Sequence, residues 1–319
     1  MPHATAIADS TPLPAGFLVG HHTDLDGWTG CTAIVTPPGS VGAGEVRGGG
    51  PGTRESDLLS PATSTDGPEA VLLTGGSAFG LAAADGVMHW LADNGRGHPT
   101  PAGTVPLVSA AVIFDLMLGS PTAHPDAAAG RAACDNAQPH TQRGNVGVGT
   151  GATAGKLLGP DHWTKGGLGA ATTMAGDAML TAIAAVNPVG DVIGADGAVL
   201  AGAWRDGRYQ RTSDLLAAGE QPPILAREHT TLVCLCTDAR LTKTQAWIVA
   251  RAMTAGVARA ISPSATAFDG DATFVLASGK VEVDSVIVEA LAADAATAAI
   301  RDAVLTATGA PGCPASSDR

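Results

Sequence analysis

In the stretch Glu228-His229-Thr230-Thr231-Leu232, a polar segment ends at a threonine that opens an apolar, β-branched run. A threonine hydroxyl is a weak nucleophile at neutral pH. Cutting the chain just before it, however, releases an α-amino group with a pKa of roughly 7.7 to 8, close to ideal for a base that takes the hydroxyl's own proton. The placement therefore suits amide opening by an N-terminal nucleophile. On residue type alone, a β-branched residue that starts a strand is the simpler account.

Other chemistry-bearing patterns fall short. The run from Gly149 to Lys156 approximates a phosphate loop, but Thr150 stands where glycine is required and Leu157 replaces the magnesium-binding hydroxyl. Gly147 to Ala152 approximates a dinucleotide fingerprint without a clear preceding strand or a suitably spaced acid. His21-His22-Thr23-Asp24 lacks partner ligands at metal spacing and reads as a solvated loop. In Gly75-Gly76-Ser77-Ala78-Phe79-Gly80 the serine is better explained as a helix cap than as a hydrolase elbow. Five cysteines with no CxxC pair indicate neither a disulfide framework nor a four-cysteine zinc site. Cys234 and Cys236 read as two small side chains on one buried strand face. No cofactor or metal is expected.

A net charge of −12, with only 18 basic residues spread along the chain, argues against nucleic-acid and anionic-membrane surfaces. No basic region followed by an apolar stretch opens the sequence, and no run approaches roughly 18 uninterrupted apolar residues. The expected location is the cytoplasm. With 42 glycines and 3% aromatic residues, the core must be built from small side chains that let backbones approach closely.

The elements that must position Thr230 lie on both sides of it. Strands are predicted at Cys31 to Thr36, Ala70 to Thr74, Val105 to Phe114, Leu180 to Val186, Val199 to Trp204, from Thr230 onward, and at Thr273 to Ala277. Helices are predicted from Ser77 to about Asn94, from near His124 through the following alanines, from about Thr242 to Ile261, and from about Val283 to Thr306. Asp206 to Glu228, with Pro222-Pro223, reads as an exposed connecting segment. One layered α/β unit with a cut in its middle follows.

Several separated segments give the chain a specific likeness. They are Thr29-Gly30-Cys31-Thr32, Val46-Arg47-Gly48-Gly49 with Pro51-Gly52-Thr53-Arg54-Glu55, Leu73 through Leu81, and Ala110 through Asp115. Ala154-Gly155-Lys156, Val186-Asn187-Pro188-Val189-Gly190, His229-Thr230-Thr231 and Asp269-Gly270-Asp271 complete the set. From about Gly20 to Gly309 the chain resembles the DmpA-type and β-peptidyl aminopeptidases, and especially the nylon-oligomer hydrolases. The resemblance implies an αββα sandwich like that of the N-terminal nucleophile hydrolases. It also implies a precursor that cuts itself into a large chain, 1–229, and a small chain, 230–319, which stay together as one domain. A homo-oligomer, a tetramer of the paired chains, is implied as well.

The same resemblance assigns roles. Thr230 matches the nucleophile. Asp269 and Asp271 match carboxylates beside its freed amino group, where they would orient the amine and pass protons to the leaving group. Asn187 matches an amide aimed at the oxyanion. Lys156 matches the lysine of the nylon-oligomer branch, placed to ease alkoxide formation. Each has a plainer explanation: an acidic turn, a turn residue before Pro188, and a lysine ending a glycine loop. His229 departs from the asparagine or glycine that relatives carry before the cut. The expected activity is hydrolysis of small amides, either peptides with a free amino end or ω-amino-acid oligomers. An aminopeptidase or esterase of the same family, or a ligand-binding module that never matures, is the alternative.

Overall fold

Alternation along Thr230–Ala239 sets the layering. Leu232, Cys234 and Cys236 pack between two sheets, whereas Val233 and Leu235 pack against helices. A strand buried on both faces belongs at the centre of a multilayer core. The computed structural model describes residues 10–221 and 229–319, and it builds four layers around that strand.

The strands of the sandwich are β1 (Leu18–Asp24), β2 (Thr29–Val35), β3 (Val41–Val46), β4 (Thr53–Arg54), β5 (Ala70–Thr74), β6 (Val108–Val112), β7 (Gly167–Ala175), β8 (Ala178–Asn187), β9 (Thr230–Ala239) and β10 (Ala272–Val281). Its helices are α1 (Ala83–Asp93), α2 (Ala127–Asp135), α3 (Lys243–Ala260) and α4 (Ser285–Thr306). One sheet runs β1-β2-β5-β6-β4 and the other β7-β8-β9-β10-β3. Each contains one parallel pair, β5 with β6 and β9 with β10, and antiparallel neighbours elsewhere. Parallel neighbours need a long return connection, and α1 and α3 lie in those two crossovers.

Ile34, Val71 and Leu73 of the first sheet meet Ile183, Leu232 and Phe274 of the second in the inter-sheet core. The opposite face of the first sheet packs on α1 and α2 through Ala33, Leu72, Val87 and Ala133. That of the second packs on α3 and α4 through Val233, Val275, Met253 and Ile300. The αββα order expected from the resemblance is thus present. Its small-residue composition has a direct cause where α1 meets α2. A methyl on Gly86 would stand 1.8 Å from the Ala127 carbonyl oxygen, and one on Gly130 would stand 1.9 Å from that of Ala83.

Helix starts follow local chemistry. Thr242 and Gln245 form a reciprocal capping box at α3, and Asp126 and Asp284 cap α2 and α4. Ser77 does not cap a helix. It sits at φ +53° after Gly76 and opens a 3₁₀ turn, Ser77–Ala82, that leads into α1. His21 and His22 lie on β1 rather than in a loop, and the buried His21 ring bridges the Thr32 and Thr141 hydroxyls at 3.0 and 3.2 Å. Burial lowers the His21 pKa to about 4.

The segment expected to be an exposed connector from Asp206 is structured over its first part. Ala203–Arg205 pairs with Arg208–Gln210, and a short helix, Thr212–Ala217, docks through Thr212 onto the buried Asp191 carboxylate at 2.7 and 2.8 Å. Its remainder, with Pro222-Pro223 and Glu228, lies outside the described residues. All five cysteines are buried and free. No described helix is long and apolar enough to cross a membrane.

Candidate active site

Thr230 is the first residue of β9, at the mouth of the inter-sheet layer. Antiparallel pairing places Asn187, the last residue of β8, directly opposite it. Parallel pairing on the other flank sets Leu232 against Ala272, and an isolated bridge sets His229 against Asp269. The end of β8, the start of β9 and the turn before β10 therefore bring Asn187, His229, Thr230, Asp269 and Asp271 to one place. Lys156 arrives from a loop. Gly155 and Lys156 donate backbone N–H groups to the Gly190 and Val189 carbonyls at 3.0 and 2.9 Å, which swings the lysine chain toward Asn187.

Each of these side chains is buried: Asn187 and Asp269 fully, Thr230, Asp271, Lys156 and His229 to within 8%. The Thr230 hydroxyl donates to the His229 carbonyl oxygen at 2.6 Å. That is the carbonyl of the peptide bond preceding it. The same oxygen accepts the Gly270 N–H at 2.5 Å, and the His229 N–H donates to the Phe268 carbonyl at 3.1 Å. The peptide ahead of Thr230 is thus held on both edges.

Lys156 Nζ donates to Asn187 Oδ1 at 2.6 Å and to the Asn187 main-chain carbonyl at 3.0 Å, and lies 5.8 Å from the centre of the Trp163 ring. Asn187 Oδ1 also accepts the Thr153 N–H at 3.0 Å, while Nδ2 donates to the Phe114 carbonyl at 3.0 Å. Two donors on one side and a carbonyl on the other fix which way the amide faces. One of its two N–H donors, expected at the oxyanion, is engaged by Phe114.

Asp271 accepts the Thr231 N–H at 2.6 Å and the Ala265 N–H at 2.8 Å. Asp269 accepts the Thr266 N–H and hydroxyl at 3.0 and 2.6 Å through Oδ2. Burial pushes both carboxyls up, and the charge of Asp269 adds to the rise at Asp271. The like charges disfavour ionising both carboxyls together. Burial and then the charge of Lys156 push the His229 imidazole down to about 3, so it is neutral near pH 7. His229 Nδ1, Thr231 Oγ1 and Asp269 Oδ1 are among the buried side-chain atoms of the described residues that have no hydrogen-bond partner.

Sequence reasoning missed three contributors. Gly48, Gly49 and Gly50 carry the turn at Asp269 to Asp271: Gly50 N–H donates to the Asp269 carbonyl at 2.8 Å, and Arg47 N–H to that of Asp271 at 2.8 Å. Asp115, on the loop after β6, is buried, accepts from Gly76 N–H and the Thr29 hydroxyl at 2.7 Å each, and is pushed up to about 6 by burial. Lys165 is fully buried and donates to the Gly149, Ala152 and Gly166 carbonyls at 2.9, 2.9 and 3.1 Å. The glycine stretch that approximates a phosphate loop thus turns carbonyls onto an internal ammonium. Among the described residues no group of three or more His, Cys, Asp or Glu side chains is placed to hold a metal ion.

The chain is similar to known proteins over most of its length. The profile of Peptidase family S58 matches residues 14–315. An uncharacterized aminopeptidase of Mycobacterium leprae is 41% identical over 292 residues, covering 84% of this chain and 78% of the relative. The 6-aminohexanoate-oligomer endohydrolase of Paenarthrobacter ureafaciens is 31% identical over 277 residues, covering 84% and 74%. Among solved structures, a β-aminopeptidase from Burkholderia sp. superposes with a TM-score of 0.69 at 20% identity, covering 96% of this chain and 91% of that one. The L-aminopeptidase D-Ala-esterase/amidase from Ochrobactrum anthropi, described as a variant of the Ntn hydrolase fold, does so with a TM-score of 0.68 at 18% identity, covering 93% and 87%.

Proposed function

The chain belongs to peptidase family S58 and is an amide hydrolase, and on that footing we propose that it opens its own His229–Thr230 bond and then works through Thr230 as an N-terminal nucleophile. The observation that carries this reading is the 2.6 Å contact between the Thr230 hydroxyl and the oxygen of the preceding carbonyl, in a peptide pinned on both edges.

In the first step Thr230 Oγ adds to the His229 carbonyl carbon and gives up its proton. The C–N bond then breaks, the nitrogen leaves as an amine with one proton gained, and an ester joins His229 to Thr230 Oγ. Water opens the ester, leaving a His229 carboxylate, a restored hydroxyl and a free Thr230 amino group. The products are a large chain, 1–229, and a small chain, 230–319. In turnover the amino group takes the hydroxyl proton as Oγ adds to the substrate's amide carbon, the C–N bond breaks with the amine leaving protonated, and water opens the resulting ester to a carboxylate and the restored hydroxyl.

Lys156 supplies positive charge for the developing alkoxide. Asn187 holds the Lys156 ammonium with its side-chain and main-chain oxygens. Asp269 and Asp271, two buried carboxyls beside the nucleophile, orient the new amine and move protons to the leaving group. Substrates are small peptides or ω-amino-acid oligomers, in keeping with relatives that carry both names. Exposed Val286, Ile287 and Leu305 on α4 are in keeping with a homo-oligomer of paired chains. The decisive variant is Thr230→Ala, expected to stay whole and to hydrolyse no amide. A cut Thr230→Ala chain refutes self-processing.

A further inference from the structure

Charge must be met at the oxygen of the carbonyl whose carbon the Thr230 hydroxyl attacks, and one of the two N–H donors of Asn187 is already engaged by Phe114. Two groups touch the His229 oxygen: the Thr230 hydroxyl and the Gly270 N–H. The hydroxyl surrenders its proton on attack, so it ceases to be a donor as the charge develops. The Gly270 N–H, 2.5 Å away, is the donor that stays. We propose that this main-chain N–H is the oxyanion donor for opening the His229–Thr230 bond, and that it receives the substrate's acyl oxygen in turnover. The assignment rests on the reading of Thr230 as nucleophile.

Three features fit that role. The N–H belongs to the Asp269–Gly270 peptide unit, whose carbonyl is itself fixed by the Gly50 N–H at 2.8 Å, so the unit is aimed before any charge appears. Neighbouring main chain is fixed too, by Arg47 and Gly48 N–H on the Asp271 carbonyl at 2.8 and 3.2 Å and by Gly49 N–H on that of Thr266 at 3.1 Å. Position 270 also faces the nucleophile across the parallel pair. A Cβ there would stand 2.8 Å from Thr230 Oγ1 and 2.8 Å from the Gly50 carbonyl oxygen. Glycine leaves the hydroxyl free and lets the backbone itself reach the reacting carbonyl.

The ester made in self-cleavage and the acyl-enzyme of turnover differ only in the acyl group on Thr230 Oγ. Each is opened by water through a tetrahedral oxyanion at the same attachment point. One donor therefore serves both reactions.

The test replaces the N–H by an ester oxygen, which also weakens the Asp269 carbonyl as an acceptor for Gly50 N–H. Cell-free translation with glycolic acid at position 270 turns the Asp269–Gly270 amide into an ester, and cleavage of this chain and of the natural one is followed on gels, with folding followed by circular dichroism. Self-cleavage of the folded ester variant is expected to slow about 10²–10³-fold, and a rate within about threefold of the natural chain overturns the assignment. If the ester chain does not fold, Gly270→Pro, which also removes the N–H, decides: self-cleavage slowed about 10²–10³-fold is expected, and a rate within about threefold of the natural chain overturns the assignment. A natural chain that itself stays whole refutes the nucleophile reading, and this assignment with it.

Discussion

Replacing Asn187 with alanine distinguishes a scaffold from an oxyanion donor, because the two roles predict different losses. The side chain is fully buried and makes three hydrogen bonds: it accepts from Thr153 N–H and Lys156 Nζ and donates to the Phe114 carbonyl. Truncation leaves the buried Thr153 N–H and the partly buried Phe114 carbonyl without this partner. Each orphan costs about 1–3 kcal/mol, so the expected loss is about 2–6 kcal/mol, toward the lower end if a water enters the vacated space and pairs with both. Lys156 keeps the Asn187 main-chain carbonyl at 3.0 Å and should stay near its place. Against a total stability of about 5–15 kcal/mol the change is large enough to read by urea titration. Thr230→Ala chains, with and without Asn187→Ala, give uncut material for the comparison. A second variant that unfolds within ~0.5 kcal/mol of its parent refutes the scaffold reasoning and returns Asn187 to the oxyanion.

Gly48→Ala should weaken the turn that carries the carboxylates, since its methyl would stand 2.0 Å from the Asp269 carbonyl oxygen and 2.5 Å from Asp271 N. Backbone must move there, so a loss of about 1–3 kcal/mol in thermal or urea unfolding is expected, together with slowed self-cleavage. Asp191 should contribute a stability that falls as pH rises. Burial raises its carboxyl from 3.8 to about 6, so between those values the folded chain binds more protons than the unfolded one. Its contribution is fully present below about pH 4 and is lost as pH climbs through about 6. Urea midpoints of Asp191→Asn should decline less from pH 4 to 6.5 than those of the parent, and parallel declines would refute the assignment.

Much of the architecture was legible because periodicity and burial coincide. α3 and α4 begin within two residues of the positions expected from apolar spacing and end within one, and β9 starts at Thr230 itself. β3 and β7 were not read from the sequence. Val41–Val46 is interrupted by Gly42 and Gly44, and the first half of Gly167–Ala175 is glycine and alanine apart from Leu168, so neither shows a β-branched pattern. Small residues are nonetheless what those strands need, since a methyl on Gly169 would stand 2.0 Å from the Ala299 carbonyl of α4. Ser77 misled for a related reason. Its type suits a cap, but the left-handed Gly76 before it and the Ser77 N–H bond to the Ile113 carbonyl set the turn instead.

At the site, residue types pointed to Thr230, while the other members came from ordered resemblance and not from spacing. Nothing in Lys156, Asn187 and Asp269 along the chain announces that they meet, because strand register across β8, β9 and the turn before β10 brings them together. The Gly270 N–H left no mark in residue type, since a backbone donor has the same chemistry in every residue but proline. Its one visible trace was the glycine between two aspartates.

The most direct measurement pairs intact mass with activity on the purified natural protein. The account predicts that amidase activity rises as the 31.5 kDa chain disappears, and that the smaller product begins Thr230-Thr231-Leu232-Val233. Full activity from protein whose His229–Thr230 bond is whole would contradict it.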